Sequence, residues 1–511
     1  MKQYWKSILC VILSLLCMVS VVSCNFGKQD ASESSNSEVT EANGVGGDAT
    51  DPTETEEEFD PKQAYKPANK QYDRDFTFAA NEYIDYFTVD EKYQSGKGTV
   101  LQEAAFKRNL VMSEIHGVNV NIKNVSLDTL SVTALVGQHV ADVAIYGTQQ
   151  LFNYVTKGLY ADVLEFNGLN LSAPYWDQNI QEQFMIGDAL YVIEGDFSFV
   201  DQIRTGVFLY NADVYNARGY DTTYGSPYAL VDSGAWTFDL MFEMADGMYV
   251  DENRNGIEDE NDTYGILCGT GLVWAFFGGS GMKLMASKHG EIELLISDPT
   301  YWENAYSAIE KIVGKCIQND DVANPKLWNH DNIWAAASTA FESGRVLYRY
   351  TALSAALRLT NSDCTFGLLP VPKFTQDQEQ YHTIVSPAGS LHGTMLSSIP
   401  DGEVAAEIFD AICYYSRYGG AASLYDAYFE TFRLNKFCGT PNDLRMLELL
   451  FSTTFYDLDY AANITQLPSN YIYHIEMDED ASSLYSTLYN ARNAAQTRLE
   501  EYKLEIASLK S

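Results

Sequence analysis

Apolar and polar positions alternate in short blocks along the body of the chain. Phe76-Thr77-Phe78-Ala79 predicts a first strand, because successive side chains of a strand point to opposite faces. Leu101, Ala104, Ala105, Leu110, Val111 and Ile115 recur near a 3.6-residue period. That spacing predicts a helix over 99–116, with Thr99 as its N-cap. Val118, Val120 and Ile122 alternate as a second strand, and Asp142-Val143-Ala144-Ile145-Tyr146 reads as a third. A further helix ends near Lys157-Gly158, since glycine suits a C-terminal cap. The β-α-β-α order implies an α/β fold whose parallel strands are joined by right-handed crossovers. Ligands in such sheets sit beyond the carboxyl ends of the strands. The loops Asn81-Glu82-Tyr83 and Tyr146-Gly147-Thr148-Gln149 are therefore candidate binding loops, with Asn81, Glu82 and Tyr146 as candidate contacts. Near the end of the chain, 446–451 and 484–499 read as helices that dock on the second half of the fold.

The first 60 residues break this pattern. Lys2 and Lys6 precede an almost wholly apolar stretch over 8–22. It is too short and wrongly flanked for a membrane span and reads as a secretory signal. It ends in Val21-Val22-Ser23-Cys24, which resembles the lipobox of bacterial lipoproteins. That resemblance implies cleavage before Cys24, lipidation of its thiol and a location on the outer face of the cell membrane. Two or more acyl chains, at about 0.8 kcal/mol per buried CH₂, anchor a protein firmly. Residues 25–60 then hold eleven acids and one lysine among Ser, Thr, Gly and Asn. Such a segment buries too little surface to fold and extends by self-repulsion. The linker is expected to run over 25–71.

Charge narrows the partners. The 511 residues carry 33 basic and 70 acidic side chains, a net −37, most of it on the body beyond the tether. An excess of that size repels nucleic-acid phosphates, so a nucleic-acid partner is excluded. Of the eight cysteines, Cys268, Cys316, Cys364, Cys413 and Cys438 remain after the signal and lipid site. Five at irregular spacing do not form a disulfide framework, and none has CxxC spacing; buried free thiols are the plainer reading.

Several segments, in order, resemble the extracellular solute-binding proteins of ABC importers, above all the sugar-binding branch. They are the helix and turn over 104–118, Phe208-Leu209-Tyr210-Asn211-Ala212-Asp213 leading to Gly219, and Trp236-Thr237-Phe238-Asp239. Phe341-Glu342-Ser343-Gly344-Arg345 and Phe366-Gly367-Leu368-Leu369-Pro370-Val371-Pro372 follow. Each has a scaffold reason: Thr237 can cap a helix whose first turn carries Asp239, and the two prolines hold an extended segment. The resemblance implies a two-lobed periplasmic-binding-protein-like fold with a hinge and an interlobe cleft. Lobe one would comprise 72–190 plus 351–388, and lobe two 191–350 plus 389–511. Hinge crossings would fall near 191–198, 346–350 and 386–392. The protein would be a monomer that captures a sugar or oligosaccharide and passes it to an ABC permease, without catalysis. A surface glycan-binding lipoprotein uncoupled from import, and a secreted glycosidase, are the alternatives.

Three constellations carry candidate chemistry. Asp251, Asn253, Asn255, the Ile257 carbonyl, Asp259 and Asp262 occupy positions one, three, five, seven, nine and twelve of an EF-hand-type loop, with Gly256 at six. That spacing wraps oxygens around one calcium ion, although position twelve is Asp in place of the bidentate Glu. A solvated acidic turn is the plainer alternative. Gly269 to Gly279 contains Trp274 and Phe276, aromatic faces of the kind that cover the C–H face of a sugar, or else core. Glu194, Asp196, Tyr348, Arg349 and Tyr350 lie at the expected hinge, where carboxylates and guanidinium groups can grip hydroxyl pairs. An enzyme would need more: GxSxG, HExxH, Walker and GxGxxG motifs are absent.

Overall fold

A computed structural model describes residues 59–81, 99–268, 271–317, 319–359, 363–387, 390–433, 440–469 and 484–510. The signal, most of the acidic linker, Cys24, Glu82 and Cys438 lie outside the described residues. The body begins earlier than the linker limit at 71 implies. Pro61–Ala64 is a short helix capped by Asp60, the Tyr414 hydroxyl donates to the Lys62 carbonyl at 2.9 Å, and Lys70 pairs with Glu407 at 2.5 Å.

The first sheet grows from the predicted β-α-β unit. Strand β1 (Arg74–Ala80) pairs in parallel with β2 (Val118–Asn124), Phe76 opposite Val120 and Phe78 opposite Ile122. On its other side β1 pairs in parallel with β3 (Val143–Gly147). The connecting helix Val100–His116 opens with a capping box between Thr99 and Gln102 and stops at Gly117, whose φ of +63° is left-handed. Its buried face is wider than the apolar period implies. Arg108, Asn109 and His116 are buried while Leu110 and Ile115 are exposed. The cause is a second layer: the helices Gly402–Tyr418 and Leu424–Arg433 pack on the same helix. Arg108 is held there by Asn109 Oδ1 at 3.0 Å, the Phe197 carbonyl at 3.3 Å and Ser416 Oγ at 3.1 Å.

The second sheet is built around β4 (Gly206–Asn211), buried along its whole length as a strand covered on both faces must be. It pairs antiparallel with β9 (Val346–Ala352) and with β10 (Phe366–Leu369). Beyond β9 lie β5 (Tyr264–Leu267) and β8 (Val322–Ala323), both parallel to their neighbours. Two small pairs complete the strands: the hairpin of β6 (Met285–Lys288) with β7 (Glu291–Leu294), and β11 (Thr383–Ile384) with β13 (Thr454–Phe455).

Strand pairing reverses part of the expected lobe allocation. β12 (Leu391–Met395) lies antiparallel beside β3 in the first sheet, not in lobe two. β9 ends at Ala352 and β10 covers 366–369, and both belong to the second sheet, so 346–350 lies in lobe two as allotted, while 351–352 and 366–369 lie there and not in lobe one. Residues 346–350 are a central strand, not a crossing. The 191–198 segment is clamped against β12 of the first sheet. Ile193 and Gly393 exchange two backbone hydrogen bonds of 2.9 Å, and Gly195 lies against Trp176, where a β-carbon would come within 2.6 Å of the indole. Helix Pro441–Ser452 packs on β10 in the second sheet. Helix Leu484–Leu509 reaches further than expected. Arg492 bonds the Ile296 carbonyl, while Lys510 pairs with Asp162 and Asp188.

Candidate functional site

A cavity of about 550 Å³ opens beyond the carboxyl ends of the parallel strands β5 and β9. This is where an α/β sheet presents a ligand site. Six segments of the chain wall it. The carboxyl end of β9 contributes Arg349, Tyr350, Thr351 and Ala352, and beside it stand Arg204 and Gly206. The helix Leu272–Gly279 contributes Trp274 and Ala275, with Gly271 at its start. The helix Ile333–Glu342 contributes Trp334, Ala335 and Ser338, with its N-cap Asn332. Ile384, Ser386 and Tyr460 close the remaining side.

The wall is ordered by close packing. Trp274 is 1% exposed and stacks on Tyr460, ring centres 4.0 Å apart and planes at 16°. Tyr460 lies in the short helix Leu458–Ala462, which two buried carboxyls organise. Asp457 Oδ1 accepts from the backbone N–H of Asp459 and Tyr460, and Asp459 accepts from the Thr465 backbone and hydroxyl. Arg349 is 3% exposed and donates to Ser338 Oγ at 3.2 Å, tying β9 to the Trp334 helix. Gly206 makes room for Tyr350. A β-carbon there would meet the tyrosine hydroxyl and lie 2.8 Å from Cζ. Gly206→Ala is therefore expected to push the phenol out of the wall and lower stability by about 1–3 kcal/mol, as overpacking does. Chemical denaturation checks it, and an unchanged midpoint would show that the ring swings clear without loss.

No protein-family model matches the chain, and no curated protein matches it by sequence. Solved structures do. A cyclo/maltodextrin-binding protein complexed with maltotetraose has 14% identity and a TM-score of 0.53, over 84% of this chain and 96% of that one. UspC of M. tuberculosis has 15% identity and a TM-score of 0.51, over 83% and 100%. The ABC substrate-binding protein Lmo0181 from Listeria monocytogenes, in complex with cycloalternan, has 13% identity and a TM-score of 0.51, over 83% and 98%. The chain has the two-lobed periplasmic-binding-protein-like fold.

Within that fold the candidate residues separate. Trp274 and Arg349 line the cavity together with Tyr350. Phe276 does not: it is buried against Phe208, Phe238 and Phe242. Tyr348 is fully buried beside Trp236, its hydroxyl 3.3 Å from the Met244 sulfur. These two alternate along strand and helix with the cavity-facing positions, so the neighbours of a wall residue point into the core. Tyr146 is likewise core, its hydroxyl donating to the Val125 carbonyl at 2.7 Å. Asn81 stands exposed at the end of β1. Glu194 and Asp196 belong to the clamped 191–198 segment, away from the cavity wall. Asp196 lies 3.4 Å from Arg417, and burial pushes its carboxyl up to about 7 against the pull of that arginine. Arg204, Trp334 and Tyr460 were not legible in the sequence, because only tertiary packing brings them to this wall.

The acidic loop over 251–262 forms a closed turn. Val250 and Thr263 bridge its base, and Gly256 turns with φ +71°. Asp251 accepts from the N–H of Asn255 and Gly256, Asn253 from that of Asn255, and Asn255 from that of Ile257. Asp262 is fully buried and accepts from the N–H groups of Glu252 and Asp259. Its carboxyl is raised by burial and by the neighbouring Asp259 and Asp251 charges. The amide nitrogens of Asn253 and Asn255 point at Asp259, at 3.2 and 3.0 Å. Among the described residues no three His, Cys, Asp or Glu side chains gather closely enough to hold a metal by themselves. A cation here needs the asparagine oxygens as well, which a half-turn of each amide would supply.

The four described cysteines, Cys268, Cys316, Cys364 and Cys413, are free thiols, and Cys268 and Cys413 are buried.

Proposed function

We propose that this protein is an extracellular, lipid-anchored solute receptor. It captures a carbohydrate by closing its two lobes and delivers it to an ABC permease, without chemical conversion. The observation that carries this reading is the cavity itself: the aromatic side chains of Trp274, Tyr350 and Tyr460 stand beside hydroxyl and guanidinium groups at the end of a binding-protein sheet. Such a wall suits a sugar, which has an apolar face and a polar rim. The bound sugars in two of the similar structures, maltotetraose and cycloalternan, support it. A glycosidase needs two carboxylates flanking the scissile bond, and no Asp or Glu among the described residues lines this cavity. The lipobox at Cys24 and the acidic tether support anchoring outside the cell. A thermal-shift screen against neutral and acidic oligosaccharides tests the reading. A receptor gains stability by RT ln(1 + [L]/Kd) and returns the sugar intact. Stabilisation by none of them, or recovery of cleaved products, would refute it.

We also propose that the 251–262 loop takes a structural calcium ion through Asp251, Asn253, Asn255, the Ile257 carbonyl, Asp259 and Asp262. The loop's closed base, its turn at Gly256 and the buried Asp262 support this. Added calcium is expected to raise the melting temperature, EGTA to reverse the gain, and Asp262→Ala to abolish the response. Equal melting temperatures with calcium and with EGTA would end the idea.

A further inference from the structure

The cavity wall carries two cationic donors and, among the described residues, no carboxylate. Arg204 and Arg349 both line it, and no Asp or Glu among the described residues does, although acids outnumber bases 70 to 33 in the chain. Trp274 adds a buried indole Nε1–H that has no acceptor among the described residues. An indole nitrogen can only donate, and the ring lines the cavity, so an oxygen of the solute can supply its acceptor. The helices Leu272–Gly279 and Ile333–Glu342 both begin at this wall, so the positive ends of two helix dipoles face the same space. A guanidinium can grip a pair of hydroxyls on a neutral sugar, but the neutral sugar has no charge to answer the two guanidinium groups. An anionic group gains from all four features, and a guanidinium fork matches a planar or tetrahedral oxyanion bidentately.

We propose that the captured solute is an acidic saccharide. Its carboxylate or sulfate accepts from Arg349, Arg204 and the Trp274 indole, while a sugar face rests on the aromatic wall. This rests on the carbohydrate reading above and adds the charge. The surface disfavours the same ligand at a distance, since a strongly acidic body repels an anion. Selectivity for the acid group therefore belongs to the wall.

The test is titration calorimetry of the lipid-free mature chain with matched pairs: galacturonate against galactose oligomers, and a sulfated disaccharide against its unsulfated form. Inorganic sulfate alone is the control. The acidic member of at least one pair is expected to bind about tenfold or more tightly than its neutral partner, and the pair that discriminates tells carboxylate from sulfate. Arg204→Gln is expected to shrink that ratio. Arg204 is only half-buried, so this variant keeps the test open where Arg349→Lys fails to fold. Equal or tighter binding of the neutral members would overturn the inference and leave the carbohydrate reading standing. Inorganic sulfate binding as tightly as the sulfated sugar would reduce the site to an anion site and overturn it too. Failure of every saccharide, charged or neutral, would overturn both.

Discussion

Trp274→Ala is expected to weaken saccharide binding by about tenfold or more and to cost about 3–5 kcal/mol of stability. Both effects follow from one ring. Its face is stacked on Tyr460 at 4.0 Å and its edge meets Phe277 at 5.9 Å, so truncation leaves a hole in the wall and frees Tyr460. The sequence alone would let the indole stand in a cleft and be removed without harm to the fold. Its 1% exposure says otherwise. Trp274→Phe separates the two effects. It keeps most of the packing but removes the Nε1–H, so affinity for an oxyanion falls further than stability does. Chemical denaturation gives the first quantity and calorimetry the second. Full affinity in a folded Trp274→Ala protein would remove this residue from the site.

The protein is expected to be more stable near pH 5 than near pH 8, by several kcal/mol. Burial raises the carboxyls of Asp142, Asp177, Asp196, Asp410, Asp457 and Asp459, the third and last to about 7. In the unfolded chain an Asp titrates near 3.9. Between about 4 and about 7 the folded state therefore binds more protons, and stability falls as pH rises through that window. A shift of three units corresponds to about 4 kcal/mol, an upper bound for each group. Net charge acts in the same direction, because the body carries most of the chain's −37 and repels itself less as carboxylates are protonated. Asp188 and Asp259 are lowered and matter only below this window, whereas His382 and His392, which burial lowers, His392 to about 3, oppose part of the trend between pH 5 and pH 8. Asp196→Asn is expected to flatten part of the slope and to stabilise the fold at pH 8. A stability that rises from pH 5 to pH 8 would contradict this.

Local signals carried the first lobe. The capping residue Thr99, the stop at Gly117 and the alternation of Val118, Val120 and Ile122 are each decided within a few residues, and the elements form where the pattern puts them. Strand pairing is not local. Phe366–Leu369 and Leu391–Met395 are both short apolar strands, and nothing in either says which sheet it joins. That choice is made by neighbours more than a hundred residues away, so the lobe limits exchanged there. The buried face of Val100–His116 failed for a similar reason, because later helices cover positions that the period left outside. At the site, Trp274 and Arg349 stood out by residue type, whereas Phe276 and Tyr348 looked equal to them. One position along a helix or strand turns a side chain from cavity to core, and composition is blind to that. Tyr460 is placed by the buried Asp457 and Asp459 beneath it, a contact that spacing does not announce.

The central claim is that a saccharide is held, unaltered, against the Trp274 wall beyond β5 and β9. The most direct test is a crystal structure with the oligosaccharide that gives the largest thermal shift. It is predicted to show intact sugar in this cavity, in contact with Trp274 and hydrogen-bonded to Arg349. Sugar bound at another surface with this cavity empty, or a cleaved product within it, would contradict the claim.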